Sequence, residues 1–134
     1  ALTNHLLSES MTFLPVCHSL KDHSPVGSLE VDLANSINLL LPQITNIQTI
    51  VHLAAAVPHS SRYPDNAKSS SITQNIDRNV FRLQEMSGAH LIYMSTCGLY
   101  NRLSFEEKTE ISEIKATTPY FVAKSIGEKG AAVW

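Results

Sequence analysis

The sequence predicts an α/β domain built on a doubly wound parallel sheet with helices on both faces. Three observations carry that prediction. Thr49-Ile50-Val51-His52-Leu53-Ala54-Ala55 and His90-Leu91-Ile92-Tyr93-Met94-Ser95 are short, nearly continuous apolar runs, the pattern of strands covered on both faces. Between them Ile72, Ile76, Val80, Leu83 and Met86 recur at spacings of three and four, one stripe of an amphipathic helix. Strand, crossover helix and strand make a βαβ unit, and the same alternation can be traced upstream.

In chain order, residues 1–7 read as the tail of a helix, 12–17 as a strand and 28–33 as a second short strand. Ile37, Leu40, Leu41 and Ile44 are helically spaced, but Pro42 lacks a backbone donor and must kink or shorten that helix. The strand at 49–55 comes next, and Ser69-Ser70-Ser71 reads as an ordinary loop before the helix through 72–86. Ser87-Gly88 stops that helix ahead of the strand at 90–95. Residues 104–113 are charged and read as a solvated loop, with Glu106, Glu107 and Glu110 a wet face rather than paired catalytic carboxylates. Residues 118–134 read as a final helix. Pro119 suits its first turn, while Gly127 and Gly130 each weaken it by about 1 kcal/mol relative to Ala.

The chain has 134 residues, 43% hydrophobic and 16% charged. That suffices for one compact domain with a core, is too little for a two-domain enzyme, and argues against disorder. A net charge of −2 provides no basic surface for a phosphate backbone, so nucleic acid is not an expected partner. No window approaches the ~18 uninterrupted apolar residues of a membrane span, so no membrane partner is expected. Two cysteines make no disulfide framework, and the default compartment is a reducing cytoplasm. No C-x-x-C or H-E-x-x-H spacing points to a metal.

Tyr120 and Lys124 stand four apart on the final helix and share a face. A free tyrosine titrates near ~10, and a neighbouring ammonium favours its phenolate, which makes it usable as an acid/base. A solvated Lys beside a half-buried Tyr has the same spacing. Ser95-Thr96 follow the strand at Met94, at the carboxyl edge where a parallel sheet binds ligands. A hydroxyl there bonds a substrate oxygen or serves as a turn residue. The small side chains of Leu53-Ala54-Ala55 let a flat ligand approach the backbone or simply pack. Asp32 closes a strand and could accept bonds from an adenine amine or a ribose, or cap the next helix. Cys97 has no His–Asp pair to activate it.

Taken in order, Leu29-Glu30-Val31-Asp32-Leu33, Ile50-Val51-His52-Leu53-Ala54-Ala55-Ala56, Asn75-Ile76, Tyr93-Met94-Ser95-Thr96-Cys97-Gly98-Leu99-Tyr100 and Pro119-Tyr120-Phe121-Val122-Ala123-Lys124, with Glu128 beyond, resemble one family. It is the extended short-chain dehydrogenase/reductases, in their NAD-dependent epimerase/dehydratase group acting on nucleotide sugars. The resemblance covers roughly residues 28–134, and the start more faintly. It implies a partial Rossmann-type fold and places Thr96, Tyr120 and Lys124 at the family's catalytic Ser/Thr, Tyr and Lys positions. Tyr120 would exchange the hydroxyl proton while hydride moves between substrate carbon and nicotinamide. Lys124 would hold the nicotinamide ribose and depress the Tyr120 pKa, and Thr96 would orient the substrate oxygen. Asp32 and Leu33 fall where the family contacts adenine. Leu53, Ala54 and Ala55 fall where it lines the diphosphate and ribose, and Asn75 matches its Asn beside that site.

The resemblance implies NAD as cofactor. NADP stays open, because Cys17-His18-Ser19-Leu20-Lys21 ends the first recognisable strand without an acidic residue. Lys21 there meets a 2′-phosphate or is a solvated loop charge. The implied substrate is a nucleotide sugar or another small carbonyl or hydroxyl compound, and the edge strands of an incomplete sheet leave a homodimer open. Two departures set expectations. The family's Gly-rich first turn and its small C-terminal substrate domain have no counterpart, so residues 1–134 read as an incomplete dinucleotide-binding domain expected to bind weakly and not to turn over alone. Cys97-Gly98 stand where sugar 4,6-dehydratases carry Asp-Glu, which disfavours dehydration and leaves epimerisation or carbonyl reduction. The reading outside enzymology is a non-catalytic dinucleotide-binding module.

Overall fold

A computed structural model of the protein describes residues 2–19, 24–58, 65–100, 107–109 and 111–133, with Thr3 and Asn4 described by backbone alone. The elements are α1 (Leu2–Ser8), β1 (Val16–Cys17), β2 (Leu29–Glu30), a 3-10 helix (Leu41–Asn46), β3 (Thr49–His52), α2 (Asn66–Ser87), β4 (His90–Tyr93), a 3-10 turn (Cys97–Leu99) and α3 (Pro119–Ala131). The strands pair in parallel. Val16 lies opposite Leu29 in β1–β2, and Thr49 opposite His90 through His52 opposite Tyr93 in β3–β4. The predicted α/β class with parallel strands is thus present, and among the described residues the strands form two ladders. No helix of the described residues is long and apolar enough to cross a membrane.

Each strand is shorter than the run that announced it: β1 keeps only the carboxyl end of 12–17, and β3 and β4 stop before the ends of 49–55 and 90–95. Among the described residues of β3 and β4 the cover is uneven between the two faces. Ile50 packs against the core cluster containing Leu83 of α2, and His52 is buried on the same face. The opposed residues Val51 and Ile92 on the other face remain 42% and 47% exposed. A run apolar on both faces reads alike whether one face or both find a partner.

Helix α2 begins earlier than its apolar stripe. The Asp65 carboxylate accepts the Ala67 N–H at 2.8 Å as N-cap, a substitute for a missing intrahelical bond. Ser69-Ser70-Ser71 therefore lie within the helix rather than in a loop. Serine usually competes with helix by bonding nearby backbone. Here the Ser69 hydroxyl donates to the Asp65 carbonyl at 2.8 Å without leaving the helix, and Ser69 and Ser70 are buried. Of the stripe, Ile76, Val80 and Leu83 are buried and Met86 is exposed. Gly88 ends the helix at φ 66°, its N–H donating to Gln84, in the left-handed region that glycine enters without steric cost.

The helix expected over Ile37–Ile44 is replaced by a turn followed by the 3-10 helix, with Pro42 in its first turn. Proline is tolerated there but not further along a helix. Ile37 and Leu40 are still buried, with Val31 and Leu83, against Leu29, Leu33, Leu41, Ile44 and Ile50. Of the charged loop at 104–113, positions 104–106 and 110 lie outside the described residues, as does Lys21. The segment that follows returns to the fold through an antiparallel bridge between Tyr100 and Ile114. Helix α3 is capped by the Thr118 hydroxyl, which accepts the Phe121 N–H at 3.3 Å, and runs through both glycines. Any side chain at Gly127 would collide with the Tyr93 hydroxyl and the Asp77 carboxylate. Close approach of α3 to its neighbours thus requires the residue that weakens the helix.

Candidate active site

The carboxyl ends of β3 and β4 open into a cleft of about 450 Å³. Leu53, Ala55, Val57 and Pro58 supply the wall leaving β3, Met94, Ser95 and Thr96 the wall leaving β4, and Tyr120, Phe121 and Lys124 the wall from α3. The first wall is tied to α2 where the Ala56 N–H donates to the Thr73 hydroxyl at 3.1 Å, a buried bond.

Lys124 is 3% exposed. Its ammonium donates to the Met94 carbonyl at 2.8 Å and sits 4.1 Å from the centroid of the Tyr93 ring, whose π face attracts a cation. Burial pulls the Lys124 pKa below its ordinary value, opposed by the negative charges of Asp77 and Glu128. Tyr120 is 8% exposed, and burial followed by the charge of Asp77 pushes its phenol above the usual range. The expectation that Lys124 depresses the Tyr120 pKa is corrected for the protein in this state: desolvation and a buried carboxylate dominate, and the ammonium is turned to the Met94 carbonyl. The Thr96 hydroxyl accepts the Gly98 N–H at 3.3 Å, capping the 3-10 turn. A hydroxyl that accepts there keeps its own O–H for a ligand.

Behind the cleft lies a buried polar group that the sequence reading did not single out. The Nε2 of His52 is 2.8 Å from one Asp77 oxygen, and because a carboxylate only accepts, that nitrogen carries the proton. The Tyr93 hydroxyl donates to the other Asp77 oxygen at 3.0 Å. Burial, then Asp77, pushes the Tyr93 phenol far above its ordinary value. Asp77 does leave a trace in the sequence: it falls on the helix face bearing Thr73, Ile76 and Val80, where a charge must find partners.

The structure therefore brings Thr96, Tyr120, Lys124, Leu53 and Ala55 to one cleft. It does not bring Ala54, Asp32, Leu33 or Asn75 to that lining. Asp32 folds back on its own turn, accepting from the Ala34 N–H at 3.0 Å and the Asn35 amide at 2.8 Å, with His18 Nδ1 3.8 Å away. Leu33 packs on the core, and its carbonyl accepts from Asn79 of α2 at 2.7 Å. The Asn75 side-chain Oδ1 accepts from the Arg78 guanidinium along α2 at 3.2 Å.

Parallel strands, helices packed against them and a cleft at the strand ends define a Rossmann-type domain. The chain belongs to the NAD dependent epimerase/dehydratase family, whose model matches residues 1–134. No curated protein matches it by sequence. Among solved structures it is similar to the UDP-glucose 4-epimerase of Thermus thermophilus in complex with NAD, with a TM-score of 0.81 and 18% identity over 98% of this chain and 45% of that one. It is also similar to UDP-N-acetylglucosamine 4-epimerase from Bacillus cereus, with a TM-score of 0.75 and 17% identity over 98% of this chain and 43% of that one. For the Bordetella bronchiseptica enzyme WbmG in complex with NAD and UDP, the TM-score is 0.75 and the identity 20%, over 98% of this chain and 44% of that one. The chain thus spans a little under half the length of these structures, and the likeness is one of fold.

Proposed function

We propose that the protein is an NAD(P)-dependent oxidoreductase or epimerase of a nucleotide sugar, with Thr96, Tyr120 and Lys124 as its catalytic residues. The observation carrying this reading is that a hydroxyl, a phenol and an ammonium from separate stretches line one cleft at the carboxyl ends of a parallel strand pair. The residues present suit a nicotinamide dinucleotide: Leu53, Ala55 and Met94 offer small or apolar surface to a flat ring, and Lys124 offers donors to a ribose. Leu53, Ala54 and Ala55 would line the diphosphate and ribose, Asn75 would stand beside them, and Asp32 and Leu33 would take the adenine. When bound, that group supplies the two-electron acceptor or donor.

The chain's own residues manage the proton and the geometry. Thr96 donates its O–H to the substrate oxygen and orients it. As the phenolate Tyr120 takes the proton from the substrate hydroxyl on oxidation, and as the phenol it gives that proton back on reduction. With its phenol pushed up by burial and Asp77, Tyr120 stands protonated at neutral pH, ready to donate. A phenol that carries its proton also suits a second reading, carbonyl reduction, on the same residues. Cys97 and Gly98 offer no acid–base pair for eliminating water, which disfavours dehydration.

Replacing Tyr120 by Phe removes the proton carrier and leaves the ring. In the full-length protein, turnover with a nucleotide sugar, followed by separation of the epimers or, for reduction, by nicotinamide absorbance, should fall by roughly 10²–10⁴-fold, while dinucleotide binding measured by calorimetry persists. Unchanged turnover would eliminate the proton-transfer role.

A further inference from the structure

We propose that Asp77, held between His52 and Tyr93, is a positioning residue for Lys124: it supplies the buried counter-charge that keeps this side chain an ammonium on its seat between the Tyr93 ring and the Met94 carbonyl. The inference deepens the functional reading above and rests on it only where turnover is concerned.

The geometry is specific. Asp77 is 4% exposed and His52 3%, so neither charge nor dipole is screened by water. Both carboxylate oxygens are engaged, one by His52 at 2.8 Å and one by the Tyr93 hydroxyl at 3.0 Å. The second bond fixes the ring over which the Lys124 ammonium lies. Three elements thus meet at one carboxylate, α2 through Asp77, β3 through His52 and β4 through Tyr93, and α3 can close on them because position 127 has no side chain.

Lys124 faces Asp77 from α2, Tyr93 and the Met94 carbonyl from β4, and Tyr120 and Glu128 from its own helix. Asp77 and Glu128 are the negative charges of this set, and Asp77 is the larger influence. An ammonium taken out of water is costly unless an opposite charge compensates it. Asp77 also acts on Tyr120, where its charge raises the phenol. Neutralising Asp77 must therefore lower the titration midpoints of Lys124 and Tyr120 together.

The test is Asp77→Asn, read by NMR titration of ¹³C-labelled lysine side chains and by the pH profile of dinucleotide-dependent turnover. The Lys124 midpoint should fall by about one pH unit, and both limbs of the profile should move acidward. Tyr93→Phe keeps the ring but frees one carboxylate oxygen, and should move Lys124 the same way by less. A purely structural role would lower the melting temperature and leave the midpoint in place. An unmoved Lys124 midpoint in folded Asp77→Asn overturns the proposal. If that variant does not fold, Asp77→Ser, which also removes the charge, decides by the same criterion. Absence of turnover in the unaltered full-length protein would count against the functional reading alone, since the lysine titration still decides the role of Asp77.

Discussion

Around β1 and β2 the buried side chains are aliphatic: Val31, Ile37 and Leu40 close on Leu83 of α2, with Leu29, Leu33, Leu41, Ile44 and Ile50 around them. Around β3 and β4 the buried side chains include His52, Thr73, Asp77 and Lys124, held by hydrogen bonds between 2.8 and 3.1 Å, His52 to Asp77, Thr73 to the Ala56 N–H and Lys124 to the Met94 carbonyl. Dispersion and water exclusion hold the first region, and neither depends strongly on direction. Directional bonds hold the second, and each group there has few acceptable positions. The difference teaches where precise geometry is needed, because the cleft opens beside the polar region.

The largest effect that would sharpen this contrast is expected at Leu83. Leu83→Ala leaves a cavity in the aliphatic cluster and should cost about 2–5 kcal/mol, measured by denaturant unfolding. The native-state NMR signals of His52 and Tyr93 should stay in place. A cost below about 1 kcal/mol, or displacement of those signals, would break the division into two regions.

The polar region should also show its own dependence on pH. Tyr93 and Tyr120 both have phenols raised above the ordinary value by burial first. Below the unfolded value of about 10 both states keep the proton and the phenols contribute fully. Above it the unfolded chain releases protons that the folded one retains, so stability falls as pH rises. Lys124, lowered in the fold, opposes this, since stability rises as pH passes from its folded to its unfolded value. Two tyrosines outweigh one lysine, and thermal melts from pH 8 to pH 11 should show a net decline above about pH 10. In Tyr93→Phe the decline should be shallower. An equal decline in that variant would remove Tyr93 from the account.

Periodicity explains which parts of this were legible in the sequence. The β3–α2–β4 unit could be read because its apolar residues repeat at strand and helix spacings, whereas the meeting of Thr96, Tyr120 and Lys124 was implied by the family resemblance, the four-residue step alone fitting a solvated Lys beside a half-buried Tyr equally well. The first turns of α2 could not be read, since the propensity of Ser69-Ser70-Ser71 points to a loop and only tertiary burial reverses it. The open face at Val51 and Ile92 was hidden because apolar residues do not report whether a partner covers them. Asp77 was overlooked because its two bonding partners lie on other strands, beyond any local pattern.

The smallest effect probes the one helix that joins the two regions. Asp65 caps α2 beside the polar region, and Leu83 near the other end belongs to the aliphatic cluster. Asp65→Ala removes the side-chain acceptor but leaves the backbone carbonyl that receives the Ser69 N–H at 3.0 Å and the Ser69 hydroxyl. The loss should be about 1 kcal/mol. Hydrogen exchange should quicken in the first turn, around Ala67, while amides from Leu83 to Ser87 keep their protection. Accelerated exchange at both ends would mean that α2 opens as a unit, and the apolar and polar regions would then be one cooperative structure rather than two.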